Sequence, residues 1–359
     1  MLSRPGAGTK WVTMLFWLLV YAMLLMPGFI QVGLFYFLSR RVRRSIVYGP
    51  NPRNRLDLYF PTSAQGRDDG HGARPVVIFI TGGAWIIGYK AWGALLGKVL
   101  SKEGVIVASL DYRNFPQGRL GEMLEDVHLG IAWVVRHIHE HGGDPANVYL
   151  VGQSAGAHLA SMAIIESVER SAFGEGPASP AAPGMIPAPG SWTPSQVRGF
   201  IGVSGAYDIV DLVEHFNARG LYRQLLEAIM AVKGRTSLEA ISPAFRISKY
   251  VKSPAQYAPV VSAFPPILLL HGKDDKSIPY QHAVQFGQVL ESAGIPHEIR
   301  LYDGETHTTP LIENPMRGSN DKLSEGVLDV IMPNRPGGLE SRRLVPEVLI
   351  KLALSASPF

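Results

Sequence analysis

Short runs of apolar residues recur along this chain at the spacing of an α/β protein. Continuous apolar runs at 76–80 (VVIFI) and 105–110 (VIVASL) are typical of parallel strands that are buried on both faces. Between residues 122 and 140 the apolar positions instead recur every three or four residues, which predicts a helix. The alternation continues with predicted strands at 147–151, 199–203, 267–270 and 297–302, and with predicted helices at 154–170, at 281–292 and near the carboxyl terminus. This order predicts one α/β domain with right-handed crossovers.

Three regions depart from the alternation. Residues 48–61 predict a turn-rich lead-in with a short edge strand, followed by a polar loop at 63–74. Residues 171–194 are rich in Pro, Ala and Gly, which predicts a surface loop. Residues 208–259 contain helical pieces that do not fit the alternation, and we interpret them as a cap over the sheet.

The amino-terminal segment carries a much longer apolar run. Residues 11–38 contain no charged side chain, and a helix of these 28 residues would extend about 42 Å, against a hydrocarbon core of about 30 Å. Pro27 and Gly28 predict a kink, but neither side of it is long enough for a second crossing. A cleaved signal peptide would have a shorter apolar run, and a buried globular helix would have a polar face. We therefore expect residues 1–45 to form a transmembrane anchor with a single span, ahead of one folded domain at 46–359.

Positive charge is concentrated in that anchor. The net charge is +4, and the first 45 residues hold six basic side chains and no acid, so the rest of the chain is close to −2. Such a domain offers no basic surface to nucleic acid, and we exclude a nucleic-acid partner. Four arginines follow the apolar run and two basic side chains precede it, which favours a cytoplasmic position for the domain. The chain has no Cys, which excludes disulfides, zinc thiolate sites and cysteine nucleophiles.

A candidate nucleophile lies in the segment GQSAG at 152–156, which matches the pattern G-x-S-x-G. Its context is more specific than the pattern, because Ser154 stands between the predicted strand VYLV and the predicted helix AGAHLASMAII, as a nucleophile elbow requires. The flanking Gly152 and Gly156 would let a sharp turn bring neighbouring backbone together. The alternative is a serine that caps a helix in a tight turn. We expect Ser154 to project from the carboxyl edge of the sheet.

A serine nucleophile needs N–H groups aimed at the oxyanion that forms during attack. One donor is expected from Ala155, which follows the serine at the start of a helix. The others are expected in the loop TGGAW at 81–85, directly after the first buried strand, where small residues let the backbone approach a substrate. Gly83 and Ala84 are the candidate donors there. The alternative is an ordinary glycine turn.

The general base is expected to be a histidine late in the chain, because enzymes with this elbow carry the acid and then the histidine after the serine. His307, in the loop GETHTT, follows the last predicted strand and is placed where it can reach Ser154 over the sheet edge. For the acid, the segment HGKDDKSIP offers two aspartates after the strand PPILLL. Asp275 is favoured, Asp274 remains the alternative, and Asp208 is a weaker candidate.

The segments ITGGAW, LDYRNFPQG, GGDPANVYLVGQSAGAHLA, HGKDDKSIP and GETHTT together resemble the α/β-hydrolase esterases. With the apolar amino-terminal segment and YGPNPRNRLDLYFP, the chain resembles the plant isoprenylcysteine methylesterases in particular, from about residue 10 onwards. The resemblance implies an α/β-hydrolase fold with a mostly parallel sheet and a helical cap. It implies a triad of Ser154, Asp275 and His307. Around the substrate carbonyl it implies Gly82, Gly83, Ala84, Gln153 and Ala155. Thr81 stands where the wider group has a His.

The same resemblance implies hydrolysis of the methyl ester of farnesylated or geranylgeranylated cysteine. Carboxyl-methylated prenylated proteins would then be the substrates, at endoplasmic reticulum and Golgi membranes and in contact with lipid. This chemistry needs no metal and no organic cofactor. Two alternatives remain open: a membrane-bound carboxylesterase or lipid deacetylase acting on another acyl ester, and a hormone receptor on the same fold that no longer turns over. An apolar groove lined by Trp85, Phe216 and Leu221 is expected to hold the isoprenyl chain.

Overall fold

The structure is a computed structural model that describes residues 7–61, 72–174, 192–232, 234, 237–318, 321–335, 337–339 and 341–357. Its strands are β1 (Val42–Val47), β2 (Arg55–Tyr59), β3 (Arg74–Ile80), β4 (Ile106–Leu110), β5 (Gly143–Gln153), β6 (Gly199–Val203), β7 (Ile267–Gly272) and β8 (His297–Tyr302). Its α-helices are α1 (Ala7–Leu24), α2 (Met26–Leu38), α3 (Ala94–Leu100), α4 (Leu120–His137), α5 (Ala155–Phe173), α6 (Ile209–Ala218), α7 (Arg223–Ile229), α8 (Pro243–Lys252), α9 (Pro254–Ser262), α10 (Gln281–Ser292), α11 (Glu313–Arg317), α12 (Lys322–Ile331) and α13 (Glu347–Ala356).

The eight strands form one sheet in the order β1-β2-β4-β3-β5-β6-β7-β8. β1, β2 and β4 pair antiparallel, and the strands from β4 to β8 pair parallel. The carboxyl ends of the parallel strands therefore meet at one edge, where ligands bind in open α/β sheets. The strand and helix alternation predicted from the sequence is confirmed here. The polar loop at 63–74 and the surface loop at 171–194 lie largely outside the described residues.

Both faces of the sheet are buried, which explains the continuous apolar runs. One face packs against α4, α5, α8, α9 and α10, and the opposite face packs against α3, α12 and part of α2. Among the described residues of the region predicted as a cap, 208–259, the structure has α6, α7 and α8, and α9 begins there and ends at Ser262. Their role as a cap stays a prediction.

The sheet begins earlier in the chain than the sequence indicated. β1 lies inside the arginine-rich segment, so the predicted boundary between residues 45 and 46 falls within a strand of the main sheet. β2, expected at an edge, lies between β1 and β4. The pattern concealed β1 because its positions 43, 44 and 45 are all exposed and its register shifts between Arg43 and Ile46, which breaks the alternation of a half-buried strand.

The amino-terminal apolar run folds as two helices rather than one kinked span. Among the described residues no single helix is both long and apolar enough to cross a membrane; the pair formed by 15–24 and 26–38 passes that test together but is bent by 69°. Pro27 lies in the first turn of α2 and has no N–H to bond the preceding turn, which accounts for a break at this place.

Candidate active site

Ser154 stands at the turn between β5 and α5 with a left-handed backbone, φ +54°. A non-glycine residue in this region is strained, and such strain concentrates at functional sites. The turn is possible only because its flanks lack side chains: a Cβ on Gly156 would lie 2.0 Å from the Ile80 carbonyl oxygen, and one on Gly152 would lie 2.6 Å from the Gly156 carbonyl oxygen. The sequence prediction of a strand–turn–helix elbow is therefore confirmed in its geometry.

The loop after β3 lies directly against the nucleophile. A Cβ on Gly82 would come within 2.9 Å of the Ser154 Cβ, and Gly83 has φ +116°. Ala84 and Trp85 also adopt positive φ, at 50° and 61°. Three consecutive left-handed residues make a compact turn whose backbone can face a ligand. The N–H of Ala155 is the first of α5 and has no partner within that helix, so it is available at the same place.

His307 reaches the carboxylate of Asp275 from the loop after β8. The imidazole Nδ1 lies 2.7 Å from Asp275 Oδ2, and the other carboxylate oxygen, Oδ1, accepts the N–H groups of Ser277 and Ile278 at 2.8 and 2.9 Å. The Asp275 side chain is fully buried, whereas the His307 side chain keeps 12% of its surface exposed. A buried, immobilised carboxylate that holds Nδ1–H leaves Nε2 as the proton acceptor.

Asp275 and Asp274, the two candidate acids, lie in different environments. Burial by itself raises the pKa of Asp275, but the charge of His307 and hydrogen bonds from His271 and His307 outweigh it and hold that pKa well below its usual range. Asp274, in contrast, is exposed. Asp208 caps α6 by accepting the N–H of Asp211 at 3.1 Å. The geometry therefore supports Asp275 as the acid.

The sequence did not predict two further contacts, one made to Asp275 and one made to His307. His271, near the end of β7, has its Nε2 3.2 Å from Asp275 Oδ2. Gln153 Nε2 lies 3.3 Å from His307 Nε2, the nitrogen that would accept the serine proton. In the described part of the chain Ser154 Oγ itself makes no hydrogen bond to His307. Catalytic hydrogen bonds are often loose before substrate binds, so this arrangement fits a resting site.

Trp85 lies in the core and does not line a groove, contrary to the expectation from the sequence. It is 2% exposed, its indole N–H donates to His158 Nδ1 at 3.3 Å, and its ring packs edge-on against Phe216 at 6.2 Å. Phe216 is 9% exposed, and Leu221 packs partly buried against the same cluster. These side chains are engaged with each other, so in this conformation they offer an isoprenyl chain little surface.

The described residues contain no group of three His, Asp or Glu side chains placed to hold a metal ion. The site has the parts that acyl transfer needs: a strained serine, a histidine oriented by a buried carboxylate, and backbone N–H groups near the serine.

Comparison with known proteins agrees with this chemistry. The family model BD-FAE matches residues 56–290. The chain is 46% identical to the isoprenylcysteine alpha-carbonyl methylesterase ICME of Arabidopsis thaliana, over 100% of this chain and 80% of that protein. It is 46% identical to the probable isoprenylcysteine alpha-carbonyl methylesterase ICMEL1 of the same plant, over 100% of this chain and 71% of that protein.

A solved structure shares the fold. The propionate-bound esterase Est2 of Thermogutta terrifontis superposes with a TM-score of 0.57, at 20% identity, over 83% of this chain and 97% of that one. The sheet topology, the strained turn at Ser154 and the similarity over the whole chain all support one family assignment. The chain belongs to the isoprenylcysteine alpha-carbonyl methylesterase family of carboxylic ester hydrolases, built on the α/β-hydrolase fold.

Proposed function

We propose that this chain hydrolyses the methyl ester of isoprenylated cysteine with Ser154 as the nucleophile, His307 as the base and Asp275 as the orienting acid. The observation that carries the proposal is the 2.7 Å contact between His307 Nδ1 and the buried Asp275, beside a serine on a strained elbow. Similarity to methylesterases over the whole chain supports the substrate class.

The proposed reaction has two halves. In the first, Ser154 Oγ attacks the ester carbonyl carbon while His307 Nε2 takes the hydroxyl proton, and that proton then leaves with methanol. In the second, water attacks the acyl-enzyme, His307 takes one water proton and returns it to Ser154 Oγ, and the free acid departs. Backbone N–H groups of Gly83, Ala84 and Ala155 would stabilise the oxyanion in both halves.

The side chain of Gln153 must release His307 for this reaction to start. Its amide nitrogen now lies against Nε2, and a second bond of 3.4 Å runs to the His307 carbonyl oxygen. We propose that the incoming ester displaces the first bond, after which the Ser154 hydroxyl takes its place. Gln153 would then remain near the carbonyl of the substrate through its backbone.

We further propose that the amino-terminal segment attaches the enzyme to endoplasmic reticulum and Golgi membranes, with the catalytic domain on the cytoplasmic side. An isoprenyl chain partitions into lipid with about 0.8 kcal/mol for each buried CH₂, so a lipid-bound enzyme meets its substrate there. Large apolar side chains on α1 and α2 support the attachment because they remain exposed: Val12, Leu15, Phe16, Trp17, Leu18, Leu19, Met23, Met26, Phe29, Ile30, Leu34, Phe37 and Leu38. Exposed arginines follow them at 40, 43 and 44.

Methanol release from microsomes that contain the full chain tests the proposal. Prenylcysteine methyl ester and a short-chain methyl ester are supplied separately to the wild type, to Ser154→Ala and to Ser161→Ala, a control on the same helix. We expect release from the prenyl ester that is lost only in Ser154→Ala. Release of methanol from the short ester alone would favour the alternative of a carboxylesterase that acts on another ester. No release from folded protein would favour the receptor alternative.

A further inference from the structure

The loop that carries His307 is hydrogen-bonded to the amino-terminal segment. Thr308, the residue after His307, donates its hydroxyl to Glu313 Oε1 at 3.1 Å. The same carboxylate oxygen accepts the hydroxyl of Tyr21, on α1, at 2.8 Å. One oxygen atom of Glu313 therefore joins the catalytic loop to Tyr21, which lies 292 positions before Glu313 in the sequence.

This junction is buried. Glu313 is 0% exposed and Tyr21 is 3% exposed. Burial raises the pKa of Glu313, and hydrogen bonds from Tyr21 and Thr308 offset that rise in part. The other carboxylate oxygen, Oε2, is buried and has no hydrogen-bond partner among the described residues, so the two bonds to Oε1 are the side-chain hydrogen bonds that stabilise this carboxylate.

The surrounding contacts make the junction stiff. The N–H groups of Leu311 and Ile312 both donate to the Thr308 carbonyl oxygen at 3.0 Å, which closes the loop onto α11. Tyr21 and Leu25 pack with Met316 of α11 and with side chains of α13 in one apolar cluster. α1, α11 and α13 therefore form one packed body behind the histidine loop.

The same loop is also held by Thr309, whose hydroxyl oxygen accepts the Thr306 N–H at 3.0 Å. The side chain of His307 itself contacts Asp275 and Gln153. His307 lies between β8 and α11, outside any helix or strand, and its position decides whether Nε2 can reach Ser154. Catalytic groups must be held within about 0.5 Å of the productive geometry, and a displacement of about 1 Å can cost a factor of about 100 in rate.

We propose that Tyr21 is a positioning residue for the hydrolytic reaction: through Glu313 and Thr308 it fixes the loop that carries His307. The inference rests on the proposed function, because it requires His307 to be the base. It gives the amino-terminal segment a role in turnover that is separate from attachment to lipid.

The test uses the full chain and a short-chain, water-soluble ester, so that partition into lipid does not affect the rate. Tyr21→Phe keeps the ring and removes the hydroxyl. Tyr36→Phe is the matched control, because Tyr36 is also a buried tyrosine of this segment and donates its hydroxyl to Asp57 on β2 at 2.7 Å. We expect kcat to fall about fivefold to twentyfold in Tyr21→Phe, with KM changed less than about twofold, and both constants to stay within about twofold in Tyr36→Phe.

A second pair of variants separates positioning from a general loss of stability. Thr308→Val removes the other donor, and Tyr21→Phe with Thr308→Val removes both. Since both act through Glu313, we expect the double variant to lose less than the product of the two single losses. Glu313→Gln keeps an acceptor oxygen and is expected to retain more kcat than Tyr21→Phe.

Each outcome distinguishes the inference from the proposed function. If the wild type hydrolyses the ester while Tyr21→Phe and Thr308→Val both keep kcat within about twofold, the positioning role is wrong and the function stands. If Tyr21→Phe and Tyr36→Phe lose kcat equally alongside equal losses in Tm, the hydroxyl is merely structural and the inference is also overturned. If the folded wild type hydrolyses no ester, the proposed function itself fails.

Discussion

At the scale of single residues, the acid of the site is identified by burial. The sequence favours Asp275 and leaves Asp274 as the alternative; in the structure Asp275 is enclosed and bonded to a histidine, whereas Asp274 is exposed. The local pattern DD does not show which of them is buried, because burial is a property of the whole loop packed against β8. The sequence therefore predicts the pair and favours Asp275, and the geometry of the fold supports that choice.

The two aspartates provide a matched test. Asp275→Asn keeps the shape but cannot hold the Nδ1–H tautomer of His307, so we expect kcat for ester hydrolysis to fall by about a thousandfold or more. Asp274→Asn, on an exposed side chain, is expected to change kcat by less than about twofold. Steady-state rates of both purified variants, with Tm as a check of folding, make the comparison. Equal losses in the two would contradict the assignment.

His158 makes the stability of the fold depend on pH. Its ring accepts the Trp85 N–H at Nδ1 and lies 2.8 Å from the Ile241 carbonyl at Nε2, so it is a neutral core residue. Burial lowers its pKa from 6.5 to about 4. A depressed pKa stabilises the fold above the unfolded value of 6.5, and this contribution is lost as the pH falls toward 4.

We therefore expect the free energy of unfolding to decline between pH 6.5 and pH 4, with about 3 kcal/mol of the decline due to His158. In His158→Gln that part of the decline should be absent, although the variant starts from a lower stability. Denaturant unfolding at several pH values measures this, with the exposed His139→Gln as the control. An unchanged pH slope in His158→Gln would show that another group is responsible.

At the scale of elements, the turn around Ser154 depends on its glycines. Gly156→Ala would place a methyl group 2.0 Å from the backbone oxygen of Ile80, which cannot move without distorting β3. We expect this variant to lose more than about 3 kcal/mol of stability or to fail to fold. Gly121→Ala on α4 meets only ordinary contact, at 3.4 Å from Val232, and is expected to keep or slightly raise Tm. Thermal unfolding compares them; equal Tm values would contradict the tight turn.

Elements with strong periodicity were predicted and others were missed for identifiable reasons. The parallel strands and the long helices follow from apolar runs that lie entirely inside one element. β1 was missed because its arginines face solvent at an edge, where charge is compatible with pairing. The contact between Tyr21 and Glu313 could not be predicted from the sequence, because it joins elements at opposite ends of the chain.

The bend between α1 and α2 was only partly predicted. Pro27 correctly indicated an interruption, but its size depends on the contacts of both helices with the domain. Gly28 of α2 lies against Met316 and Val345, so closely that a Cβ there would be 2.7 Å from each. The 69° bend therefore follows the surface of α11 and the segment before α13 rather than the sequence of the apolar run alone.

At the scale of the whole molecule, the proposed membrane attachment has a direct test. The chain has no Cys, so a single cysteine can be introduced without other changes. Ser292 lies exposed at the end of α10, on the catalytic domain. We expect Ser292→Cys to be labelled by a membrane-impermeant maleimide in intact microsomes, and the chain to stay with the membrane through an alkaline carbonate wash. Labelling that requires detergent would contradict a cytoplasmic domain.

The proposed mechanism of ester hydrolysis requires a covalent acyl intermediate on Ser154. The most direct measurement is to mix the chain with prenylcysteine methyl ester, quench in acid during turnover, and map the modified peptide by mass spectrometry. We expect the prenylcysteine acyl group, without its methanol, on Ser154, and no such adduct in Ser154→Ala. An acyl group on a different residue, or methanol release at full rate in Ser154→Ala, would contradict this mechanism.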